Sequence, residues 1–201
     1  MRLYQRLDGG WPKAVGEAKV DYHHPLTVGQ KATLRDDGGR NDATIDNGAT
    51  THEITYLLRA FVRTSNPAGR AAAGRGVRYL LSMQYPSGGF PQFYPDLSGY
   101  HLGITYNDDA MVRVLTLLCS VAERRAAWAG ARGIGCILQT QYVRHGQRTA
   151  WCAQYDEKTL LAAKARNFEL PSLSGGELVP APGAVPWVGN RSSTTRPHDQ
   201  R

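Results

Sequence analysis

Apolar residues recur every three or four positions in four segments of the chain, and this spacing predicts amphipathic helices. The apolar stripe of the first helix contains Ile54, Leu57, Leu58 and Phe61. The predicted helices cover residues 49–63, 68–84, 110–123 and 126–141. A loop rich in glycine, proline and aromatic residues covers residues 85–104, between the second and third helices. The pattern therefore predicts two antiparallel helix pairs.

The helix pairs belong to an internal repeat. The turn at residues 44–50 returns 61 residues later at residues 105–111, and each turn leads into a predicted helix. Residues 75–84 likewise match residues 132–141, and each of these segments runs into a loop that carries glycine and aromatic residues. Residues 5–13 repeat that loop once more. Repeated helix pairs with long loops at one end predict an all-α fold, either an α/α toroid or a barrel, with a cleft at the loop rim.

Carboxylates and carboxamides cluster in the two repeated turns. The first turn contains Asp46 and Asn47, and the second contains Asn107, Asp108 and Asp109. Such residues commonly cap the free N–H groups at a helix start, but one cap needs only one of them. A group of oxygens that face one point would instead suit a hard cation such as calcium. Both interpretations remain open at the level of the sequence.

Two segments depart from the repeat. Residues 123–132 leave little room for a turn between the third and fourth helices, which favours a deletion over a tight turn at Gly130. Residues 142–155 predict a short hairpin around His145 and Gly146. After residue 177 the apolar periodicity stops and four prolines follow, so residues 178–201 are predicted to be a disordered or out-of-frame tail behind a domain of residues 1–177.

Composition narrows the class of protein. The 201 residues are 41% hydrophobic and 20% charged, which is ordinary for a globular protein, and the formal net charge is +7. The cations are scattered and accompany no nucleic-acid motif, so either a groove for an acidic polymer or a solvated basic surface is expected. The three cysteines form no CxxC pair, which argues against zinc. No apolar run predicts a membrane span, and residues 1–5 do not resemble the apolar core of a signal peptide.

Six motifs together resemble the pectate lyases of polysaccharide lyase family 10. They stand in the order of that family, at residues 9–13, 43–50, 79–92, 104–111, 151–154 and 165–177. The resemblance implies a partial toroid of three helix pairs, which agrees with the repeat. It also implies calcium-dependent cleavage of polygalacturonate by β-elimination, and a secreted or periplasmic protein. We expect a monomer whose partner is this acidic polysaccharide, with no nucleic-acid or membrane partner.

The resemblance also assigns roles to individual residues. Arg166 matches the arginine taken as the catalytic base, although a guanidinium loses its proton only with difficulty. Without the resemblance, Arg166 would be expected to pair with Asp156, Glu157 or Glu169 at the surface. The acidic metal-site residues implied by the match are Asp46 and Asp108, with Asp109 beside them. The candidate substrate-binding residues are Asn47, Asn107, Lys13, Trp11, Phe90 and Trp151.

Two alternatives to a working lyase remain open. Any substrate-binding cation that the family places beyond residue 177 has no counterpart in this sequence, so the chain could be an inactive fragment of a lyase. A glycoside hydrolase on a similar α/α scaffold would need two carboxylates about 5–10 Å apart across a cleft, and would not need calcium. Only a lyase would produce an unsaturated uronate that absorbs ultraviolet light.

Overall fold

The computed structural model describes residues 1–166 and 168–173. The helices are α1 (Val28–Asp36), α2 (Thr51–Thr64), α3 (Pro67–Met83), α4 (Ala110–Ser120) and α5 (Arg124–Thr140). The strands are β1 (Ala14–Val15), β2 (Ala18–Lys19), β3 (Ile104–Thr105), β4 (Val143–Arg144), β5 (Gln147–Arg148) and β6 (Gln154–Tyr155). Short 3-10 turns cover Arg2–Tyr4, Asp37–Gly39, Asp46–Gly48, Gly99–Leu102 and Asn107–Asp109.

Two helical hairpins form the body of the molecule, and they confirm the four helices that the apolar spacing predicts. Helix α2 packs along α3, and α4 packs along α5. The hairpins meet through two further contacts, of α2 with α4 and of α3 with α5. Ile54, Leu80 and Leu118 are fully buried in the shared core. The predominantly helical class is therefore confirmed, while closure of the helix pairs into a toroid stays a prediction.

The connection between α4 and α5 contains no tight turn at Gly130, which was the alternative to a deletion. Helix α5 runs through Gly130 without a break and has 17 residues, as many as α3. Helix α4 is the shorter partner, with 11 residues where α2 has 14. The chain therefore reverses at residues 121–123, and the last turn of α4 is lost instead. The alternative of a break at Gly130 is wrong.

Helix α1 is absent from the elements that the apolar pattern predicts. Its nine residues contain one buried apolar side chain, Leu34, so it carries no apolar stripe. It begins instead at a capping box, in which the Thr27 hydroxyl accepts from the N–H of Gln30 and the Gln30 side chain accepts from the N–H of Thr27. The Thr-x-x-Gln spacing was the available signal.

Two repeated glutamine contacts join each loop to the second helix of the hairpin that follows it. Gln5 donates from Nε2 to the carbonyl oxygens of Gly9 and Ala72, at 2.8 and 2.9 Å. Gln84 donates in the same way to the carbonyl oxygens of Gly88 and Ala129, at 2.9 and 2.8 Å. We call these contacts the glutamine bridges. They confirm that the loop at residues 5–13 repeats the loop after α3.

An arginine and a glycine complete each glutamine bridge. Arg75 donates to the side-chain oxygen of Gln5, and Arg132 donates to that of Gln84. Gly88 has a φ of +91° and lies so close to the Arg132 carbonyl that a Cβ atom would collide with it. Gly9, with a φ of +103°, approaches Arg75 in the same way. Glycine is therefore required at both positions.

The predicted hairpin after α5 is confirmed. Strands β4 and β5 pair in antiparallel fashion around His145 and Gly146, whose φ values of 50° and 77° suit a two-residue hairpin turn. The predicted tail at residues 178–201 lies outside the described residues. Within the described part of the chain, no helix is long and apolar enough to cross a membrane.

Candidate active site

The two repeated polar turns lie against each other at the N-terminal ends of α2 and α4. Asn47 has φ and ψ of 51° and 25°, and Asp108 has 52° and 37°. Both residues therefore adopt the left-handed conformation, which Asn and Asp tolerate better than most residues do. The repeat seen in the sequence is thus also a repeat of backbone conformation, and it aligns Asn47 with Asp108.

The turns do not serve as helix caps. Thr50 is the N-cap residue of α2 and Asp109 is that of α4, and neither makes a side-chain capping hydrogen bond. The carboxylates of Asp46 and Asp108 are therefore not explained by capping. This result removes the simpler of the two interpretations that the sequence left open.

A cavity of about 520 Å³ opens beside the two turns. Six of the predicted site residues line it, namely Lys13, Asp46, Asn47, Asn107, Asp108 and Arg166. Sequence reasoning gave no role to Gln92 and Gln154, which line it as well. The glutamines stand in two of the six family motifs, at residues 79–92 and 151–154, and this was the only signal for them. The cavity thus unites residues from both repeats and from the segment after β6.

Asp46 is the most enclosed acidic group of the cavity. It is 4% exposed, and its Oδ2 forms an ion pair with the ammonium group of Lys13. The Asp46 backbone N–H donates to the hydroxyl oxygen of Thr44 at 3.0 Å, which holds the start of the turn. The Lys13 ammonium also lies 5.5 Å from the centre of the Phe93 ring. A cation is therefore already positioned on this carboxylate.

Arg166 is paired with a carboxylate inside the same cavity. Its Nε donates to Glu169 Oε2 at 3.0 Å, and its Nη2 lies 2.6 Å from Glu169 Oε1. The Glu169 carboxylate raises the pKa of Arg166, and the nearby charge of Asp46 contributes to this in the same direction. Arg166 in turn lowers the pKa of Glu169. In this arrangement the guanidinium is held in its protonated form.

The donor atoms of the cavity suit a hard cation in kind but not in number. Asp46 and Asp108 offer carboxylate oxygens, and Asn47 and Asn107 offer amide oxygens. The Gln154 side-chain oxygen is buried and lacks a hydrogen-bond partner among the described residues. Calcium takes six to eight oxygen ligands. Among the described residues, no cluster of three or more Asp, Glu, His or Cys side chains could hold a metal.

Two of the predicted aromatic contacts are wrong. Trp11 and Phe90 are 0% exposed, so neither ring has a face that a sugar could reach. The Trp11 backbone N–H donates to the Thr50 hydroxyl, and its indole N–H donates to the carbonyl oxygen of Met1. Both aromatic residues anchor their loops on the core, as aromatic residues beside glycine and proline commonly do.

Two further candidates lie apart from the cavity lining. Trp151 is half-buried, and its indole N–H donates to the Ile137 carbonyl oxygen at 2.8 Å. Asp109 follows Asp108 in the second turn, with a φ of 56°, but it is not among the residues that line the cavity. Asp46 and Asp108 therefore line the same cavity, and Asp109 is not part of its lining.

Comparison with known proteins gives a consistent result. The sequence profile of the family described as Pectic acid lyase matches residues 5–194. The family 10 polysaccharide lyase from Cellvibrio cellulosa superposes with a TM-score of 0.74 and 34% identity. A mutant of that enzyme in complex with trigalacturonic acid superposes with a TM-score of 0.74 and has 33% sequence identity. Each match covers 88% of this chain but only 57% of the solved one. None of the curated proteins shows a significant match.

Proposed function

The chain belongs to the pectic acid lyase family, and on this premise we propose that it cleaves polygalacturonate by β-elimination. The observation that supports the proposal best is the convergence of both repeated turns, Lys13 and Arg166 on one cavity. The solved relative that holds trigalacturonic acid matches this chain with 33% sequence identity. The proposed substrate is therefore a polymer of galacturonate.

β-Elimination breaks two bonds of one galacturonate, the C5–H bond and the bond from C4 to the glycosidic oxygen. A base removes the proton on C5, the electron pair forms a double bond between C4 and C5, and the oxygen on C4 leaves with the other fragment and takes up a proton. Negative charge builds on the C6 carboxylate during this step. Preorganised positive charge beside that carboxylate lowers the barrier, because it stabilises the transition state more than the substrate.

Lys13 is proposed as one source of this charge. The Lys13 side chain lines the cavity and is 41% exposed, so a uronate carboxylate can approach its ammonium group. Asp46 holds the lysine from the other side. An ammonium paired with a buried carboxylate keeps a fixed position, and a fixed cation costs little reorganisation when charge develops.

Calcium is proposed as the second source of charge, and it would neutralise the C6 carboxylate when bound. Asp46 and Asp108 would hold it, with amide oxygens from Asn47 and Asn107. Two carboxylates leave several ligand positions open, which the substrate carboxylate would share. Donor type supports this assignment, since the cavity offers oxygen atoms, the ligands that calcium prefers.

Arg166 is proposed as the base that removes the C5 proton. Its ion pair with Glu169 favours the protonated guanidinium, so the free protein is not ready to accept a proton. Substrate would have to weaken this pair, by bringing its own carboxylate and a cation next to the guanidinium. Displacement of Glu169 is thus the proposed step between binding and chemistry.

The test is the appearance of the unsaturated uronate. The 201-residue chain is mixed with polygalacturonate and calcium, and ultraviolet absorbance is followed over time. We expect Arg166→Ala to abolish the signal and Arg166→Lys to restore it only in part, because lysine lacks the planar guanidinium. Arg63→Ala is the matched control, since Arg63 is exposed near the end of α2.

The same assay separates the alternatives. New reducing ends without the chromophore would mean hydrolysis. A folded chain that releases neither product would mean an inactive fragment, and near-parental turnover of the Arg166→Ala variant would remove Arg166 from the mechanism.

A further inference from the structure

A groove on the outer side of the helical hairpins is lined by four arginines and one tryptophan. It runs between α3 and α5 and shares no residue with the cavity beside the polar turns. The residues that define it are Arg78, Arg124, Arg125, Trp128 and Arg132. We call this surface the arginine groove. Leu81, Ser82 and Ala129 form the rest of its lining.

The positive charge of the arginine groove is not neutralised within the described part of the chain. No Asp or Glu lines the groove, and none of its four arginines forms an ion pair there. Arg132 does have a partner, but this is the uncharged side chain of Gln84. All four arginines are exposed. The surface therefore concentrates four cations whose charge remains available to an anion in solution.

The side chains from α5 share one face of that helix. Arg124, Trp128 and Arg132 are spaced by four residues, which places them on one side of an α-helix. Eight residues at 1.5 Å per residue give about 12 Å along the axis between Arg124 and Arg132. A single small anion would span only part of this length. A chain with regularly repeated charges fits it better.

The local sequence also opposes a purely structural role for these arginines. Arg124 and Arg125 occupy the first turn of α5, which holds no acidic residue; the adjacent N-cap residue is Glu123, which does not line the groove. Cations at a helix N-terminus are unfavourable, because the free N–H groups already give that end a partial positive charge. Trp128 is 69% exposed, although a tryptophan normally buries most of its surface. Residues that break local rules in this way are typical of functional surfaces.

From these observations we propose that the arginine groove is a second binding surface for an anionic polysaccharide of the polygalacturonate class, separate from the catalytic cavity. Guanidinium groups pair with carboxylates in a planar, two-pronged geometry. The exposed ring of Trp128 offers a face on which a sugar ring can pack. The choice of a polyuronate rests on the proposed function, since the same polymer would then occupy both surfaces.

Binding to immobilised polygalacturonate tests the inference. The Arg78→Gln/Arg125→Gln variant is compared with an Arg35→Gln/Arg63→Gln control, which loses the same charge at exposed positions outside the groove. We expect the groove variant to bind about tenfold more weakly, with a shallower dependence on salt, and the control to bind like the parent. Elimination of trigalacturonate, which is too short to occupy both surfaces, should proceed at the parental rate.

Three results would overturn the inference. The first is equal binding by the groove variant and the control. The second is unchanged binding after Trp128→Ala, which would remove the sugar contact. The third is equally tight binding of double-stranded DNA, which would mean a general polyanion surface. Circular dichroism of each variant shows that it is folded.

The outcome remains separable from that of the proposed function. The binding comparison is repeated in an Asp46→Ala background, in which the catalytic cavity is altered but the groove is not. Groove-dependent binding in the Asp46→Ala background would support this inference, whereas a parental chain that binds polygalacturonate but releases no unsaturated product would refute the proposed function. Elimination with groove-independent binding would support the proposed function and refute this inference.

Discussion

Arg166 and Glu169, three residues apart in the chain, form a two-pronged ion pair with contacts of 3.0 and 2.6 Å within the cavity. This pair is the surface partnership that an exposed arginine would be expected to form. It also opposes the proposed role of Arg166, because Glu169 raises the pKa of the group that must accept a proton. The pair therefore offers a direct way to test whether Arg166 is the base.

Removing the charge of Glu169 should shift the pH dependence of elimination. Glu169→Gln takes away the group that raises the pKa of Arg166, so the neutral guanidine becomes accessible at lower pH. We expect the rising limb of the pH–rate profile to move to lower pH than in the parent. Glu157→Gln, which removes a carboxylate from outside the cavity lining, is the control. An unmoved limb would show that Glu169 does not act on the base.

Loss of Lys13 should separate cation binding from catalysis. Lys13 forms an ion pair with the carboxylate of Asp46, which is also the proposed calcium ligand. We therefore expect Lys13→Met to tighten calcium binding about fivefold, because neighbouring charges in water interact by ~1 kcal/mol. Elimination should nevertheless slow, since a cation beside the substrate is lost. Calorimetric titration with calcium measures the first effect, with Lys19→Met as the exposed control. Unchanged calcium affinity would mean that lysine and cation do not share Asp46.

The glutamine bridge at Gln84 should contribute measurably to stability. Gln84→Ala removes two hydrogen bonds to backbone carbonyl oxygens, which should lower the free energy of unfolding by about 1–3 kcal/mol. Gln139→Ala makes the same change at an exposed position of α5 and should alter the free energy of unfolding by less than about 0.5 kcal/mol. Urea unfolding compares them. Equal effects would reduce the bridge to an incidental contact.

Glu53 should make stability fall as pH rises. It is 5% exposed, Tyr22 donates to its Oε1, and its Oε2 has no hydrogen-bond partner among the described residues. Burial raises the pKa of Glu53 above its ordinary value. The folded state therefore binds the proton more tightly than the unfolded state, and stability declines as pH climbs from about 4 through the folded-state pKa.

Glu53→Gln should remove this decline, because the amide does not ionise. The variant should melt at a higher temperature than the parent at neutral pH, and the difference should shrink below about pH 4, where the parental carboxyl is protonated in both states. Glu17→Gln, at an exposed position, should leave the melting temperature unchanged. Thermal melts across this pH range give the comparison. A constant difference at all pH values would contradict the assignment.

The helices and the cavity differed in how much of them could be predicted. Apolar spacing located α2, α3, α4 and α5, because each must bury one face against its partner. The apolar spacing does not predict helix α1, because this helix starts at a side-chain cap and buries only one apolar residue. The end of α4 was misplaced for a related reason. Apolar periodicity shows which residues can form a helix, but it does not show at which residue the helix ends.

The motifs located polar residues of the cavity, but they did not show that Trp11 and Phe90 are buried. Asp46 and Asp108 stood out because a turn rarely needs so many carboxylates and carboxamides. Trp11 looked like an exposed loop residue, yet its ring fills the core beside Gly76. A loop sequence does not show which way its side chains point. Glu169 lies near Arg166 in the chain, so their pairing could be anticipated, but its place in the cavity lining could not.

The glutamine bridges have a consequence for how the molecule unfolds. The loop that follows α3 is hydrogen-bonded to α5, and the loop at residues 5–13 is hydrogen-bonded to α3. The bridge at Gln84 therefore connects the two helical hairpins. Unfolding of α5 would release the loop after α3 and would also remove the contacts of α5 with α3 in the neighbouring hairpin. The two helical hairpins should therefore open in a single cooperative transition, and amide hydrogens deep in α3 and α5 should exchange with solvent at similar rates.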